Sequence, residues 1–497
     1  MRRLSCVLSI VLGVLFSCCV TTLWAADLFV GAASVDICPD KPVFLAGQFR
    51  PRVSTGVEYP VTANVIAIES KKDGKGLDYA FFISIDTVVI RNPLPQLLRK
   101  AFAAEFPGFD ADKLIVSATH THSAPTLNDE AFPPQKGVQP PSEYTKGMVP
   151  KVIKAMRQAW DSRQQAKFSY GLGGAVVAYN RRAVYEDGSA VMYGKTNTPD
   201  FRSIEGFEDH DVNTMFFWDM KDKLIAMMVN VSCPSQETES NHEVSADYWG
   251  PTRNSLHKLY DKDVVILGQC GAAGDMSPHL RYRNAADDRM TRLRGLKRTE
   301  EIARRVVRGV EETYEPAASD KKTDVVFGHK YTVLSLPQRK ATKKEYEECK
   351  AMWEKQKADP KDGRANWNRR IIERYEDLAK NPNPVFCTPV NVVRIGDTVV
   401  CTNQFELYTD FATRIKARSP AVQTFVAQLT NGAKNMDNPN SGGLGATYGS
   451  GGTYLPSERA VRGGGYGAVI QSNIVGPEGG QMIVEETLKM IAELWKK

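Results

Sequence analysis

The feature that most constrains this chain is a short apolar run that ends in two histidines. Residues 114–116 are strand-forming, small residues connect them to His120 and His122, and Pro125 closes the segment. This pattern predicts a strand that presents imidazoles at its C-terminal end. Because side chains alternate along a strand, the two rings are expected on one face, where they suit a divalent metal such as zinc. More commonly, two histidines at this spacing lie in a turn and form hydrogen bonds with the backbone. A metal site is favoured here only because other segments of the chain match the same pattern.

Composition places the chain among globular proteins and excludes one class of partner. With 497 residues, 42% of them apolar and 25% charged, the chain can bury a large core. The formal charge of +6 is spread over the whole sequence, without the concentrated basic face of a nucleic-acid binder. We therefore expect no nucleic-acid partner.

The N-terminus has the pattern of an export signal. Arg2 and Arg3 precede an apolar run over residues 4–24, and small residues follow it. This predicts a signal peptide over residues 1–25 and a secreted or periplasmic protein. The run is also long enough to act as an uncleaved membrane anchor, and lipidation at Cys18 is a third alternative.

The cysteines do not define a disulfide framework. Three of the nine lie in the predicted signal, and an exported chain could oxidise the other six. A domain of this size does not need disulfides, and spacing does not give the pairing, so no bridge is assigned. The six are Cys38, Cys233, Cys270, Cys349, Cys387 and Cys401.

Strand and helix patterns alternate along the mature chain. They predict an α/β (mixed α+β) fold: one large catalytic domain over residues 26–497, with mixed β-sheets flanked by helices and a helical insertion at 340–380. Strands are predicted at residues 62–70, 79–90, 168–179, 211–219, 223–231, 263–268, 390–402 and 424–431, and helices at 92–106, 142–166, 250–260 and 478–496. A Gly-rich loop is predicted at 442–452.

Three polar residues near predicted strand ends are candidates for a site. Asp86 interrupts a strand, and a core aspartate with satisfied partners is the expected explanation. Arg181 is either a surface charge or a clamp for a carboxylate or a developing oxyanion. Ser277 follows a run of small residues that would allow a sharp turn to present it, although a plain Gly-rich turn competes with that interpretation.

Taken together, the segments resemble the catalytic domain of the neutral (non-lysosomal) ceramidase family. The resemblance rests on motifs that occur in the family's order over most of the mature chain. They are A-T-H-T-H-S at 118–123, Asn180-Arg181, S-A-D-Y-x-G at 245–250, G-D-M-S-P at 274–278, Glu406, Tyr454-Leu455-Pro456 and Tyr466.

The resemblance implies a zinc site and an amide-cleaving reaction. Members of the family hold zinc with two histidines, a glutamate and a tyrosine, which carry over here to His120 as the first histidine, Glu406 and Tyr454. Three further residues match groups that contact the scissile amide, and a serine matches the proposed nucleophile. They are His122, Arg181 and Tyr466 for the amide and Ser277 for the nucleophile.

The chain departs from the family pattern at the second zinc histidine. Cys233 stands there, and because thiolate is a competent zinc ligand it is the predicted fourth ligand, with His242 as the alternative. The helical insertion at 340–380 is a further departure, and the chain is expected to lack the C-terminal β domain that ceramidases append.

Two classes of function follow. The favoured one is an exported zinc amidohydrolase that cleaves an N-acyl amide of a small molecule or a lipid, with ceramide-like amides among the substrates considered. Association with a membrane surface belongs to the same hypothesis. The alternatives are a non-catalytic lipid- or glycan-binding scaffold with a degenerate metal site and a hydrolase of another amide or an ester. The sequence gives neither the oligomeric state nor the acyl chain.

Overall fold

A twelve-stranded mixed sheet organises the part of the chain that the structure describes. This computed structural model describes residues 25–129, 132–358, 363–431 and 454–496. The predicted export signal, apart from Ala25, and the predicted Gly-rich loop lie outside these residues. The predicted fold class is confirmed, since helices flank a large mixed sheet.

The strands and helices are numbered in chain order. The strands are β1 Ala25–Asp36, β2 Phe44–Leu45, β3 Arg52–Val53, β4 Gly56–Tyr59, β5 Thr62–Lys72, β6 Lys75–Ile85, β7 Leu114–Ala118, β8 Gln164–Gly174, β9 Tyr179–Asn180, β10 Arg182–Tyr185, β11 Ala190–Met192, β12 Phe201–Ile204, β13 Asp211–Asp219, β14 Leu224–Val231, β15 Glu243–Ser245, β16 Val265–Cys270, β17 Met276–Ser277, β18 Asp324–Pro337, β19 Val385–Ile395, β20 Thr398–Thr402, β21 Glu406–Leu407, β22 Gln423–Ala427 and β23 Tyr454–Leu455. The helices are α1 Leu94–Glu105, α2 Pro141–Asp161, α3 Trp249–Leu259, α4 Asn284–Leu293, α5 Arg298–Ser319, α6 Lys343–Gln356, α7 Gly363–Asp377, α8 Thr409–Arg418, α9 Glu458–Gly463 and α10 Pro477–Leu494.

The main sheet folds back on itself, so that two of its layers pack face to face. Its long path runs β16-β14-β13-β8-β1-β18-β19-β20-β22, and β5, β6 and β7 branch from β1. Ile66 and Phe82 from the branch share one buried cluster with Met228 and Leu267 from the long path. The strands are therefore buried on both faces, which explains their nearly continuous apolar sequences.

Helices cover the outer faces of this double layer. One apolar cluster joins α1, α2, α3 and α5 to the sheet, and a second joins α8 and α10 to β19 and β20. The active-site candidates all come from strand ends, short strands or the loops between them. The double layer thus acts as a rigid support for a site built on its edge.

Several predicted elements are present with shifted ends. The predicted hairpin of residues 62–70 and 79–90 is β5–β6, but β6 ends at Ile85, and residues 86–90 leave the sheet. The predicted helix 142–166 ends at Asp161, and the predicted strand 390–402 is two strands joined by a turn. Neither α5 nor β18 was among the predicted elements.

The chain between residues 340 and 380 contains α6 and α7, which pack against each other. Their contact with the rest of the molecule includes a small cluster of Ala341, Cys349, Ile371 and Ile470. In the described residues, no helix is both long enough and apolar enough to cross a membrane.

Candidate active site

The two histidines of the opening motif lie on a tight turn after β7. His120 has a left-handed backbone, with φ of 68°. Its N–H donates to the carbonyl of Thr87 at 3.0 Å, and the N–H of His122 donates to the carbonyl of Ser235 at 3.1 Å. The prediction that strand alternation brings the rings together is wrong in its reason, because the strand ends at Ala118; the turn brings them together instead.

The turn sets the two imidazole rings edge to face. Their centroids are 4.8 Å apart at 81°, and their Nε2 atoms are 3.3 Å apart. The Nδ1 atom of His120 lies 2.6 Å from the carbonyl oxygen of Val88, and that of His122 lies 3.1 Å from Oε2 of Glu239. Burial lowers the pKa of His122 to about 4; Glu239 opposes this shift and His120 adds to it. His122 is therefore neutral at neutral pH.

Glu406 and Tyr454 are brought side by side by two very short strands. In the parallel pair of β21 and β23 these two residues are direct partners. Oε1 of Glu406 lies 3.5 Å from Nε2 of His120. Burial raises the pKa of the Tyr454 phenol well above its usual value, and the carboxylate of Glu406 adds to that shift.

Arg181 is a buried cation that faces the same group of residues. Its guanidinium donates to the hydroxyl of Tyr454 at 3.2 Å, to the hydroxyl of Tyr193 at 2.6 Å and to the carbonyl of Gly274 at 3.0 Å. Burial acts to lower its pKa, but Tyr193, Tyr454 and Glu406 outweigh burial, so the pKa is raised and the positive charge is retained. A fixed cation here can stabilise a developing oxyanion.

Tyr466 is held against Tyr454 by its own loop. The two rings meet at 5.2 Å and 73°. The neighbouring Arg182, which forms a buried ion pair with Glu205 at 2.6 Å, donates to the carbonyls of Tyr466 and Gly464. Burial raises the pKa of the Tyr466 phenol, so that it is a neutral hydrogen-bond donor at neutral pH.

These polar residues share one cavity with apolar side chains. The polar lining includes His120, His122, Glu406, Tyr454 and Tyr466. The apolar lining is Ala46, Val88, Val89, Leu127, Phe132 and Leu429. A mostly apolar cavity with a few convergent polar groups is the usual form of a binding site for a small organic molecule.

Arg91 also lines this cavity. Burial lowers the pKa of its guanidinium to about 10, Glu406 opposes that shift, and Arg370 adds to it. Arg91 is therefore an arginine of the cavity wall, whereas Arg181 does not line the cavity and contacts it through the hydroxyl of Tyr454.

Ser277, which matches the family's proposed nucleophile, is buried beside the site and does not line the cavity. Its Oγ accepts a hydrogen bond from the backbone N–H of His279 at 3.1 Å and from the hydroxyl of Tyr193 at 3.3 Å. Both neighbours donate, so neither of these contacts would remove the serine proton.

The two candidates for the remaining zinc ligand lie elsewhere. The thiol of Cys233 is buried and contacts the carbonyl of Val177 at 3.6 Å, and burial raises its pKa well above the usual value. His242 is exposed, with Nδ1 at 3.2 Å from the carbonyl of Val53. Neither residue lines the cavity.

Asp86 has the satisfied partners that were predicted for it. Its carboxylate forms a two-point ion pair with Arg253, at 2.6 and 2.9 Å, and accepts from the hydroxyl of Thr119 at 3.0 Å. Thr119 immediately precedes His120, so this buried ion pair holds the start of the histidine turn.

The residues present fit zinc in their chemistry. Imidazole nitrogen and carboxylate oxygen are zinc ligands, and His120 with its Nδ1 directed at a carbonyl oxygen presents Nε2 toward Glu406. Within the described residues, no group of three or more His, Cys, Asp or Glu side chains is already arranged as a metal site. A zinc ion would therefore have to draw these side chains closer together, with the phenol oxygen of Tyr454 as a further ligand.

Solved structures resemble this architecture. Neutral ceramidase from Pseudomonas aeruginosa matches 95% of the chain and 76% of its own length, at 15% sequence identity and a TM-score of 0.63. A second solved structure, of a ceramidase complexed with C2, matches 94% of the chain and 75% of its own length, at 14% identity and a TM-score of 0.63. This chain has the neutral ceramidase fold. No protein-family model matches the sequence, and no curated protein sequence matches it.

Several residues around the cavity of this ceramidase-like fold were not predicted. Tyr193 contacts Arg181 and Ser277, and no local sequence signal marks it. Glu239 lies in the polar stretch that follows the end of β14 at Val231, which was a usable signal for a second carboxylate. Gly47 lies against the ring of His122, where a Cβ atom would meet Cγ at 2.4 Å.

Proposed function

We propose that this chain is an exported, zinc-dependent hydrolase that cleaves N-acyl amides of the lipid class, ceramide-like amides included. The observation that carries the proposal is a single cavity in which apolar side chains adjoin His120, Glu406, Tyr454 and Tyr466. The neutral ceramidase fold supports the reaction class, and the N-terminal sequence favours export.

Three residues would hold the metal: His120, Glu406 and Tyr454. Zinc bound there would supply a Lewis acid for the amide carbonyl and a water whose pKa is lowered to about 7. Thiolate from Cys233 was the predicted fourth ligand, and its buried contact with a backbone carbonyl gives this assignment no support.

The chain's own residues would bind and polarise the amide. Arg181 offers a fixed positive charge, and Tyr466 offers a neutral hydroxyl that can donate to an oxyanion. Val88, Leu127 and Phe132 offer an apolar wall for an acyl chain. The amide group would then lie between the polar and apolar parts of the cavity.

We favour water over Ser277 as the attacking group. A serine nucleophile needs a base within hydrogen-bond reach of its oxygen. The hydrogen bonds of Ser277 Oγ come instead from two donors, a backbone N–H and the hydroxyl of Tyr193.

A substrate panel tests the proposal. Purified protein is incubated with N-acyl sphingosines, N-acyl amino acids and p-nitrophenyl acyl esters, and released fatty acid is measured. We expect release from at least one amide, about one zinc per chain by elemental analysis, and a loss of more than about 100-fold in kcat/KM for His120→Ala and Glu406→Gln.

His242→Ala is the matched control, since this exposed histidine lies outside the cavity, and it should keep full activity and full zinc. Turnover by metal-free protein would contradict the zinc mechanism. Tight binding of an acyl amide with no release of acid would favour the non-catalytic scaffold, and cleavage of esters alone would move the proposal to an esterase.

A further inference from the structure

Two imidazole nitrogens and a carboxylate oxygen converge in the cavity. The Nε2 atoms of His120 and His122 are 3.3 Å apart, and Oε1 of Glu406 is 3.5 Å from the first of them. The Nδ1 atom of His120 lies 2.6 Å from the carbonyl oxygen of Val88, and that of His122 lies 3.1 Å from the carboxylate of Glu239 without the alignment of a hydrogen bond. A neutral imidazole that donates through Nδ1 presents a lone pair at Nε2.

Such an arrangement needs a proton or a metal ion between these atoms. Two lone pairs and a carboxylate oxygen repel one another in a buried site unless a proton or a metal ion is shared among them. The spacing suits a metal, because two ligands at about 2.05 Å from a tetrahedral zinc lie about 3.3 Å apart.

We propose that His122, rather than Cys233 or His242, supplies the second imidazole of the zinc site, so that the set is His120, His122, Glu406 and Tyr454. This inference rests on the proposed function for its zinc. It reassigns His122 from contact with the amide to contact with the metal.

The surroundings of His122 are those of a metal ligand. Metal-binding histidines commonly direct their second nitrogen at a carboxylate or carbonyl, which fixes the tautomer and the ring orientation. The carbonyl of Val88 fills this role for His120, and Glu239 is the carboxylate within reach of Nδ1 of His122, at 3.1 Å. Gly47, at φ of 93°, lies directly against the His122 ring, and a side chain larger than hydrogen there would collide with the ring.

Cys233 is accounted for without a metal. Its side chain belongs to the apolar cluster between the sheet and the helices, and its carbonyl accepts a hydrogen bond from the hydroxyl of Tyr248 at 2.8 Å. Packing in the apolar core therefore explains the presence of this cysteine without a bound metal.

Cobalt(II) distinguishes the two assignments. Metal-free protein is titrated with Co²⁺, whose visible spectrum reports coordination and whose near-ultraviolet charge-transfer absorption reports thiolate ligands. We expect tetrahedral cobalt bands without a thiolate band in the wild type, unchanged spectra for Cys233→Ala and His242→Ala, and binding weakened by more than about 100-fold in His122→Ala. A thiolate band that Cys233→Ala removes would overturn the assignment, as would full cobalt binding by His122→Ala.

Two further variants guard against simple misfolding. Gly47→Ala should displace the His122 ring and weaken cobalt binding by about 10-fold, a typical effect of disturbing a ligand's surroundings. Gly74→Ala is its control, because Gly74 has a similar φ of 75° with nothing within 4 Å of an added Cβ. Added imidazole should restore cobalt binding to His122→Ala, and failure of both the Gly47→Ala effect and this rescue would overturn the assignment.

Amide hydrolysis, measured on the same wild-type preparation, separates this inference from the proposed function. Hydrolysis with a cysteine-ligated metal would refute the ligand assignment and leave the proposed function intact. A His122-ligated metal in a protein without hydrolysis would do the reverse. A wild type that binds neither cobalt nor zinc would overturn the assignment.

Discussion

Individual residues around the cavity adopt backbone conformations that most side chains avoid. His120, Tyr193 and Leu429 all have positive φ, at 68°, 60° and 55°. Each such residue costs on the order of 1–3 kcal/mol, and it persists only where the surroundings fix it. All three residues contact the candidate site or line its cavity. The strained backbone conformations therefore coincide with the positions that shape the site.

Glu237 is a buried carboxyl group outside the cavity and gives a pH-dependent prediction. Oε2 of Glu237 lies 3.8 Å from His279 and 3.9 Å from Arg298. Burial raises its pKa from 4.5 to about 8, with Arg298 opposing and Asp247 adding to the shift. The folded state therefore keeps a proton that the unfolded state has lost, and the free energy of unfolding falls as pH rises from about 4.5 to about 8.

Glu237→Gln removes this pH dependence. We expect the variant to exceed the wild type in unfolding free energy by about 1–3 kcal/mol near pH 9 and to show no such gain near pH 4, measured by urea denaturation. Glu312→Gln, on the exposed side of α5, controls for the loss of a carboxylate. Parallel stability profiles for Glu237→Gln and the wild type would contradict the assignment.

At the scale of elements, the α6–α7 hairpin supports the wall of the cavity. Trp367 on α7 stacks on Tyr466 with ring centroids 5.8 Å apart and planes within 3°, and Phe49 meets both rings edge-on. Arg374 on the same helix donates to the carbonyl of Asn473 at 3.2 Å, beyond Tyr466 in the same loop. The hairpin thus limits the orientations open to the Tyr466 phenol.

We therefore expect Trp367 to act as a positioning residue for Tyr466. Trp367→Ala should lower kcat by about 10-fold with little change in KM, whereas Trp367→Phe should retain most of the activity, because it keeps an aromatic ring against Tyr466. In a Tyr466→Phe background, Trp367→Ala should add almost no further loss, since both changes affect the same hydroxyl.

The control for that experiment is Trp353→Ala on α6. Trp353 packs under the Lys357 ammonium, at 4.8 Å from the ring centroid, and is not among the rings that contact Tyr466. An equal loss of kcat in both tryptophan variants, or additive losses with Tyr466→Phe, would indicate a general structural effect of the hairpin.

At the scale of the whole molecule, the proposed metal site joins segments that are far apart in the sequence. His120 and His122 follow β7, the last strand of the branch. Glu406 and Tyr454 lie on β21 and β23, next to the apolar cluster that joins α8 and α10 to β19 and β20. A bound ion would therefore link the two parts of the molecule that carry the separate apolar clusters.

Metal removal should consequently lower thermal stability. A ligand at about 1,000 times its Kd stabilises the folded state by about 4 kcal/mol, which for a chain of this size corresponds to several degrees in Tm. We expect a chelator to lower the Tm of the wild type and added zinc to restore it, measured by differential scanning calorimetry. Glu406→Gln should show a smaller response, and equal responses in both proteins would place the stabilising ion elsewhere.

The sequence by itself determined many of the local elements and identified several of the residues that line the cavity. The β5–β6 hairpin, α1 and α10 follow from runs of neighbouring residues, whereas His120, Glu406, Tyr454 and Tyr466, which share one cavity, were assigned together by the resemblance of their motifs to a known family. Periodicity and turn residues are properties of adjacent positions, so a sequence displays them directly. Element ends were less well determined, as at Ile85, where the carboxylate of Asp86 turns away to a distant arginine.

The tertiary structure decided which side chains meet. Sequence position favoured Cys233 as the partner of His120, but packing buries that thiol among apolar side chains and turns His122 toward His120. The contact of Trp367 with Tyr466 likewise joins two segments that are unrelated in sequence. Such contacts depend on how whole elements pack against each other, and no local pattern of residues encodes that arrangement.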